Sequence, residues 1–188
     1  ISLCSCIYKS CAIIDSKKYN NLKGHDCFKF SQYNQILNIN NWNNMKINSY
    51  IDHTALKAST TKDDILDLCK EALENKFAAV CVNLTRVKLA KEALQSSNVA
   101  VCTVVGFPLG ATFKEIKAKE ALMAIDHGAD EIDMVIDIQS LLDNKLDIVK
   151  EDIKEVLDAV RSQDKMLKVI IETCLLNKEQ IRSVCSIC

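Results

Sequence analysis

The sequence predicts an α/β protein built on a parallel β-sheet, and three observations carry that expectation. From residue 45 onward, strand-like and helix-like segments alternate five times. The strand-like segments include continuous apolar runs such as Phe77 to Val82 (FAAVCV), the composition of strands covered on both faces. The segments between them carry apolar residues at helical spacing and are long enough to cross from one parallel strand to the next. This alternation fits either a closed (βα)8 barrel or an open doubly wound sheet. No G-x-G-x-x-G follows the first strand, and Phe107-Pro108-Leu109-Gly110 lacks the Lys-Ser/Thr of a P-loop, so dinucleotide and P-loop nucleotide sites are disfavoured.

Residues 1–44 stand apart. They end in an Asn-rich stretch (ILNINNWNN) and show no sustained period of 2 or 3.6. The short run Ala12 to Ile14, bracketed by Lys9 and Asp15, is too short and too polar to span a membrane. An Arg-rich amphipathic transit character is missing as well. This segment is expected to be a disordered or spuriously translated extension, with Met45 as the natural start and residues 45–188 as the domain.

Within the domain, Ser49 to Thr54 reads as a first strand ending in polar side chains. Thr60 and Thr61 each precede an aspartate by three residues, the spacing of a capping box. Ile65, Leu68, Cys69 and Ala72 then form the stripe of an amphipathic helix. Phe77 to Val82 is the second strand, Thr85 to Leu94 a helix with Val87, Ala90 and Leu94 inward, and Val99 to Val105 the third strand. Thr112 and Glu115 suggest another capping box, opening a helix with Ala118, Ala121, Leu122 and Ile125 on one face and stopped by Gly128. Glu131 to Asp137 is the fourth strand, and Leu146, Val149, Ile153, Val156, Leu157 and Val160 mark the next helix. Leu167 to Thr173 is the fifth strand, and Asn177 with Gln180 caps a last helix carrying Ile181 and Val184.

Composition excludes several function classes. Of 188 residues, 48% are hydrophobic and 26% charged, and 24 basic residues balance 25 acidic ones, for a net charge of −1. No polybasic face argues for nucleic acid or an anionic membrane, whereas a small anionic substrate remains compatible. Ten cysteines are scattered rather than framed, so a secreted disulfide scaffold is not expected. Cys69, Cys81 and Cys102 sit in apolar runs, where cysteine acts as a small hydrophobe. Cys4 with Cys6 and Cys185 with Cys188 each have half the spacing of a zinc site, but His25 is the only histidine near the first pair. The expectation is reduced thiols, no metal and a cytoplasmic location.

Strand parity selects the candidate chemistry. In EIDMVID, Asp133 shares a face with Val135 and Asp137, and in LKVIIET, Lys168 shares a face with Ile170 and Glu172. A charge carried into a hydrophobic strand needs a partner or a chemical reason. With helices on the outer face, these charges point into a barrel interior, where carboxylate and ammonium either form a structural salt bridge or serve catalysis. Asp52, Asn83, Thr103 and Thr173 are expected near the C-terminal strand ends, where barrel enzymes work, though Asp52 could instead cap a turn. His53 and His127 read as satisfied surface histidines, and Gly106 and Gly110 as turn glycines.

Five segments in order resemble the short bacterial deoxyribose-phosphate aldolases: Tyr50 to Lys57 (YIDHTALK), Ala79 to Asn83 (AVCVN), Val101 to Gly110 (VCTVVGFPLG), Gly128 to Val135 (GADEIDMV) and Leu167 to Thr173 (LKVIIET). The resemblance implies a partial TIM (βα)8 barrel with about five of eight βα units. It also implies a class I aldolase with no metal and no cofactor, acting on a small phosphorylated sugar, with a homodimer as the family's assembly. On this resemblance Asp133 matches the proton donor and acceptor, and Asp52, Cys81 and Lys168 match supporting positions in the pocket. The Schiff-base lysine and a second catalytic lysine belong to later strands of the family, so neither is expected in this chain. Lys168 is not the expected nucleophile. The chain alone is therefore expected to be unstable and without turnover; the alternatives are an inactive truncated fragment, or one part of a barrel completed by another chain.

Overall fold

A computed structural model describes residues 47–188, and the expectations for residues 1–44, including Cys4, Cys6, Cys11 and Cys27, lie outside the described residues. Five strands form one sheet in sequential order: β1 (Asp52–Ala55), β2 (Ala79–Val82), β3 (Ala100–Val105), β4 (Glu131–Val135) and β5 (Met166–Ile170). Every neighbouring pair is parallel. The helices are α1 (Lys62–Asn75), α2 (Val87–Leu94), α3 (Lys114–Asp126), α4 (Ile138–Leu142), α5 (Leu146–Arg161) and α6 (Lys178–Ile187). Sequential strand order with a helical crossover after each strand is the arrangement of a partial (βα)8 barrel.

The core follows the predicted periodicity. On α1, Ile65, Leu68, Cys69 and Ala72 are buried, as are Val87, Ala90 and Leu94 on α2. They pack with strand residues such as Val80, Val82, Val101, Val105, Ile132 and Met134, all fully buried. Register places Val80 beside Val101 and Thr103 beside Ile132, so these residues share the outer face. The opposite face carries Asp52, Cys81, Cys102, Glu131, Asp133 and Lys168.

Capping explains where two helices start. At α1, the Thr61 hydroxyl accepts from the Asp64 amide while the Asp64 carboxylate accepts from the Thr61 amide, a complete capping box. Asn177 and Gln180 form the same box at α6.

The Thr112–Glu115 box does not form. Phe113 is the N-cap and makes no side-chain capping bond, so α3 starts one residue later and Glu115 occupies its second position rather than the third that a box needs. The inward stripe of α3 also shifts. Leu122 is exposed and Ile125 half-buried, while Lys117, Ala118, Ala121 and Ala124 face inward. Lys117 is fully buried because its ammonium donates to Asp152 of α5 at 2.8 Å, and the Asp152 carboxylate also accepts from the Asp137 amide at 2.9 Å. An ammonium can be buried only with such a partner.

Strand ends differ from the sequence expectation in informative ways. A 3-10 turn, Ile47–Tyr50, precedes β1, so Asp52 is the first residue of that strand rather than one at its C-terminal end. Thr103 lies within β3 on the outer face, its hydroxyl donating to the Val82 carbonyl at 2.7 Å. β4 stops at Val135, and Asp137 instead caps α4 by accepting from the Ser140 amide and hydroxyl. β5 stops at Ile170, and Glu172 takes a left-handed conformation with φ of 53°. The loop after β3 returns at Gly110, whose φ is +66° and where an added Cβ would lie 1.8 Å from the Ile136 carbonyl oxygen.

Two stability predictions follow from this packing. Lys117→Met leaves the Asp152 carboxylate buried without its cation, and should cost about 3–5 kcal/mol in urea unfolding; Lys117→Met with Asp152→Leu should recover most of that loss. Gly110→Ala combines an unfavourable φ with a backbone clash and should cost more than about 1 kcal/mol in the same measurement.

Candidate active site

The inner face is organised by Lys168. Its ammonium lies 2.6 Å from Asp52, 2.9 Å from Glu131 and 3.1 Å from Asp133. Asp133 and Lys168 are direct register partners on β4 and β5, so parity alone puts them on one face. Asp52 is different, because β1 and β5 are the two outer strands of the five. In a flat sheet, four spacings of about 4.8 Å would separate these strands by roughly 19 Å, beyond the joint reach of lysine and aspartate side chains. The 2.6 Å contact therefore requires the sheet to curl, and it identifies the face bearing Lys168 as the concave one.

Burial sharpens the electrostatics. Asp133 is 7% exposed and Lys168 is 4% exposed. Burial pushes the Asp133 carboxyl above the usual range, and the Asp52 charge adds to that, while Lys168 and a hydrogen bond from Cys102 only partly oppose it. For Lys168, burial alone would lower the proton affinity. The negative charges of Asp133, Asp52 and Glu131 outweigh it, so the ammonium is held above its ordinary value. Asp133 Oδ1 is at ion-pair distance from Lys168 but lacks hydrogen-bond alignment, and it has no hydrogen-bond partner. The arrangement thus offers a carboxyl poised to hold or release a proton, beside a fixed positive charge.

Cys81 and Cys102 complete this face. They are register partners on β2 and β3, both reduced and buried, and Cys102 lies between Cys81 and Asp133. Burial, followed by the hydrogen bond with Cys81, pushes the Cys102 thiol well above the ordinary thiol range. The structure therefore brings Asp133, Lys168, Asp52 and Cys81 to one face. Glu131 and Cys102 also belong there. Parity gave a signal for Glu131, two residues from Asp133 on the same strand, whereas Cys102 joins this face only through the register of β3 with β4. His53 is paired instead with Glu71 at 2.6 Å and packs on Phe77, and His127 bonds the Met123 carbonyl at 2.7 Å. Among the described residues no helix is long and apolar enough to cross a membrane.

Comparison with known proteins places this geometry in a family. Residues 46–183 match the family model described as DeoC/LacD family aldolase. The deoxyribose-phosphate aldolase of Exiguobacterium sp. is 57% identical over 139 residues, covering 73% of this chain and 62% of the relative. The deoxyribose-phosphate aldolase of Streptococcus gordonii is 54% identical over 143 residues, covering 76% of this chain and 64% of the relative. Among solved structures, a provisionally assigned deoxyribose-phosphate aldolase from Coccidioides immitis superposes with a TM-score of 0.73 at 39% identity, covering 76% of this chain and 55% of that one. The chain thus spans under two-thirds of the length of these relatives. With the matched region running through all five strands and the buried carboxylate–ammonium cluster, the chain belongs to the DeoC/LacD aldolase family.

Proposed function

We propose that this chain serves the reversible cleavage of 2-deoxy-D-ribose 5-phosphate to acetaldehyde and D-glyceraldehyde 3-phosphate by Schiff-base chemistry, in deoxyribonucleoside and carbohydrate catabolism. The observation that carries this reading is the buried Asp133–Lys168 pair on the concave face of a DeoC/LacD-family chain. In such a reaction a lysine amine adds to the aldehyde carbon and water leaves, giving an iminium that accepts the electrons of the breaking carbon–carbon bond. A base takes the proton of the adjacent hydroxyl as that bond breaks, and the resulting enamine is protonated before hydrolysis. Asp133 is assigned this proton donor and acceptor role, which suits a carboxyl of raised proton affinity in a buried site.

Asp52, Cys81 and Lys168 are assigned supporting roles in the pocket. Lys168 is a poor nucleophile in this setting, because three carboxylates hold its proton in place. Its assigned task is to orient Asp133 and offset its charge. The Schiff-base lysine and the second catalytic lysine are assigned to positions outside these 188 residues. One ammonium facing three carboxylates leaves negative charge that further cations of this kind would balance. The reaction as proposed takes a small phosphorylated sugar in the cytoplasm and uses no metal, cofactor, nucleic acid or membrane; a homodimer is the proposed assembly of the complete family member. Residues 1–44 are proposed to lie outside the aldolase domain.

A chimera tests this function. Residues 45–188 joined to the remaining strands of the Exiguobacterium relative should cleave 2-deoxy-D-ribose 5-phosphate, and Asp133→Asn should lower kcat by about 10²–10⁴-fold. A folded chimera that cleaves no such substrate, or one indifferent to Asp133→Asn, overturns the assignment. The 188-residue chain by itself should yield no covalent adduct when treated with acetaldehyde and borohydride, as read by mass spectrometry. A stoichiometric adduct confined to one lysine, formed while the other lysines stay unmodified, would show that the Schiff-base residue lies within the chain.

A further inference from the structure

We propose that Cys81, Cys102 and Asp133 form a binding site for one thiophilic divalent cation on the concave face, with Cd2+ or Zn2+ as representative occupants. Their ligand atoms, two sulfurs and a carboxylate oxygen, all lie within 4.8 Å of one another, and all three residues are buried. Two thiols in the donor set favour soft cations over Mg2+ or Ca2+. A second observation points the same way: Asp133 Oδ1 is buried and makes no hydrogen bond, its contact with the Lys168 ammonium at 3.1 Å being an ion pair alone.

Size and charge define the ligand further. Tetrahedral zinc at about 2.3 Å from each sulfur sets ligand atoms roughly 3.7 Å apart. Ligand atoms all within 4.8 Å of one another admit an ion of that size or a larger thiophilic one. Binding releases the two thiol protons and forms two metal–sulfur bonds and one metal–oxygen bond, with no change of oxidation state. The two thiolates and the Asp133 carboxylate carry three negative charges against the ion's two positive ones. The complex is then singly negative and lies beside the Lys168 ammonium, which is 3.1 Å from Asp133 and also pairs with Asp52 and Glu131. Asp52 and Glu131, both paired with Lys168, add negative potential that draws cations to this face. The site is one of occupancy rather than catalysis, since an ion held by Asp133 removes that carboxyl from proton transfer.

The test does not depend on aldolase activity. The full 188-residue chain is titrated to equilibrium with Cd2+ alone, while the ultraviolet thiolate-to-cadmium absorption and bound metal are measured, with far-ultraviolet circular dichroism as a check on fold. One tight equivalent with a two-thiolate spectrum is expected. Cys81→Ala and Cys102→Ala should each abolish it, and Cys102→Val, which keeps the core filled, should do the same. Asp133→Asn should weaken it on the order of tenfold or more. Cys4→Ser with Cys6→Ser, and Cys185→Ser with Cys188→Ser, should each leave it in place. The proposal is overturned if the unsubstituted chain takes up no tight equivalent, if that equivalent survives Cys81→Ala with Cys102→Ala, or if it is lost with either terminal pair.

Discussion

The concave face depends on one cation. Lys168 faces three carboxylates drawn from β1 and β4, and with the strands in sequential order only a curled sheet lets a β5 side chain reach Asp52. The contact ties curvature to charge. If the sheet flattens, Asp52 is left without its cation in a partly desolvated setting, and if the charge is lost, the reason for the two outer strands to approach is lost with it. Hydrophobic packing by the helices covers the outer face, but the shape of the inner one is held by this ion cluster.

This also explains which parts of the protein the sequence made legible. Alternating strand and helix patterns, the capping signals at Thr61 and Asn177, and the parity of Asp133 and Lys168 are local, and local patterns survive folding. What the pattern left hidden was long-range. Lys117 looks like an ordinary solvated helix residue until Asp152, thirty-five positions away, comes to rest against it. On the same helix Ala118, Ala121 and Ala124 face the core beside it, and Leu122 does not. Asp52 was misplaced to the far end of its strand because YIDHT contains no signal that a 3-10 turn ends before it. The juxtaposition of Cys81 with Cys102 needed the inter-strand register, which no single segment encodes.

The element that benefits most from these long-range contacts is β4. At its entrance, Asp130 accepts from Lys91, Lys165 and the Val101 amide, and those bonds outweigh burial to hold its carboxyl below the usual range. At its exit, the Asp137 amide is held by Asp152, itself neutralised by Lys117, while the Asp137 side chain caps α4. Its outer face is sealed by Ile132 and Met134, and its inner face is gripped by Lys168. Polar anchors at both ends, an apolar seal on one side and an ion pair on the other leave Asp133 little freedom to move along the strand or rotate away. A proton-transferring carboxyl gains from such confinement, because its distance to a reacting atom and its electrostatic surroundings are set before substrate arrives. The buried charges outside the sheet are thus connected to the chemistry inside it: Lys117 and Asp152 belong to helices, yet they fix the end of the strand from which Asp133 projects.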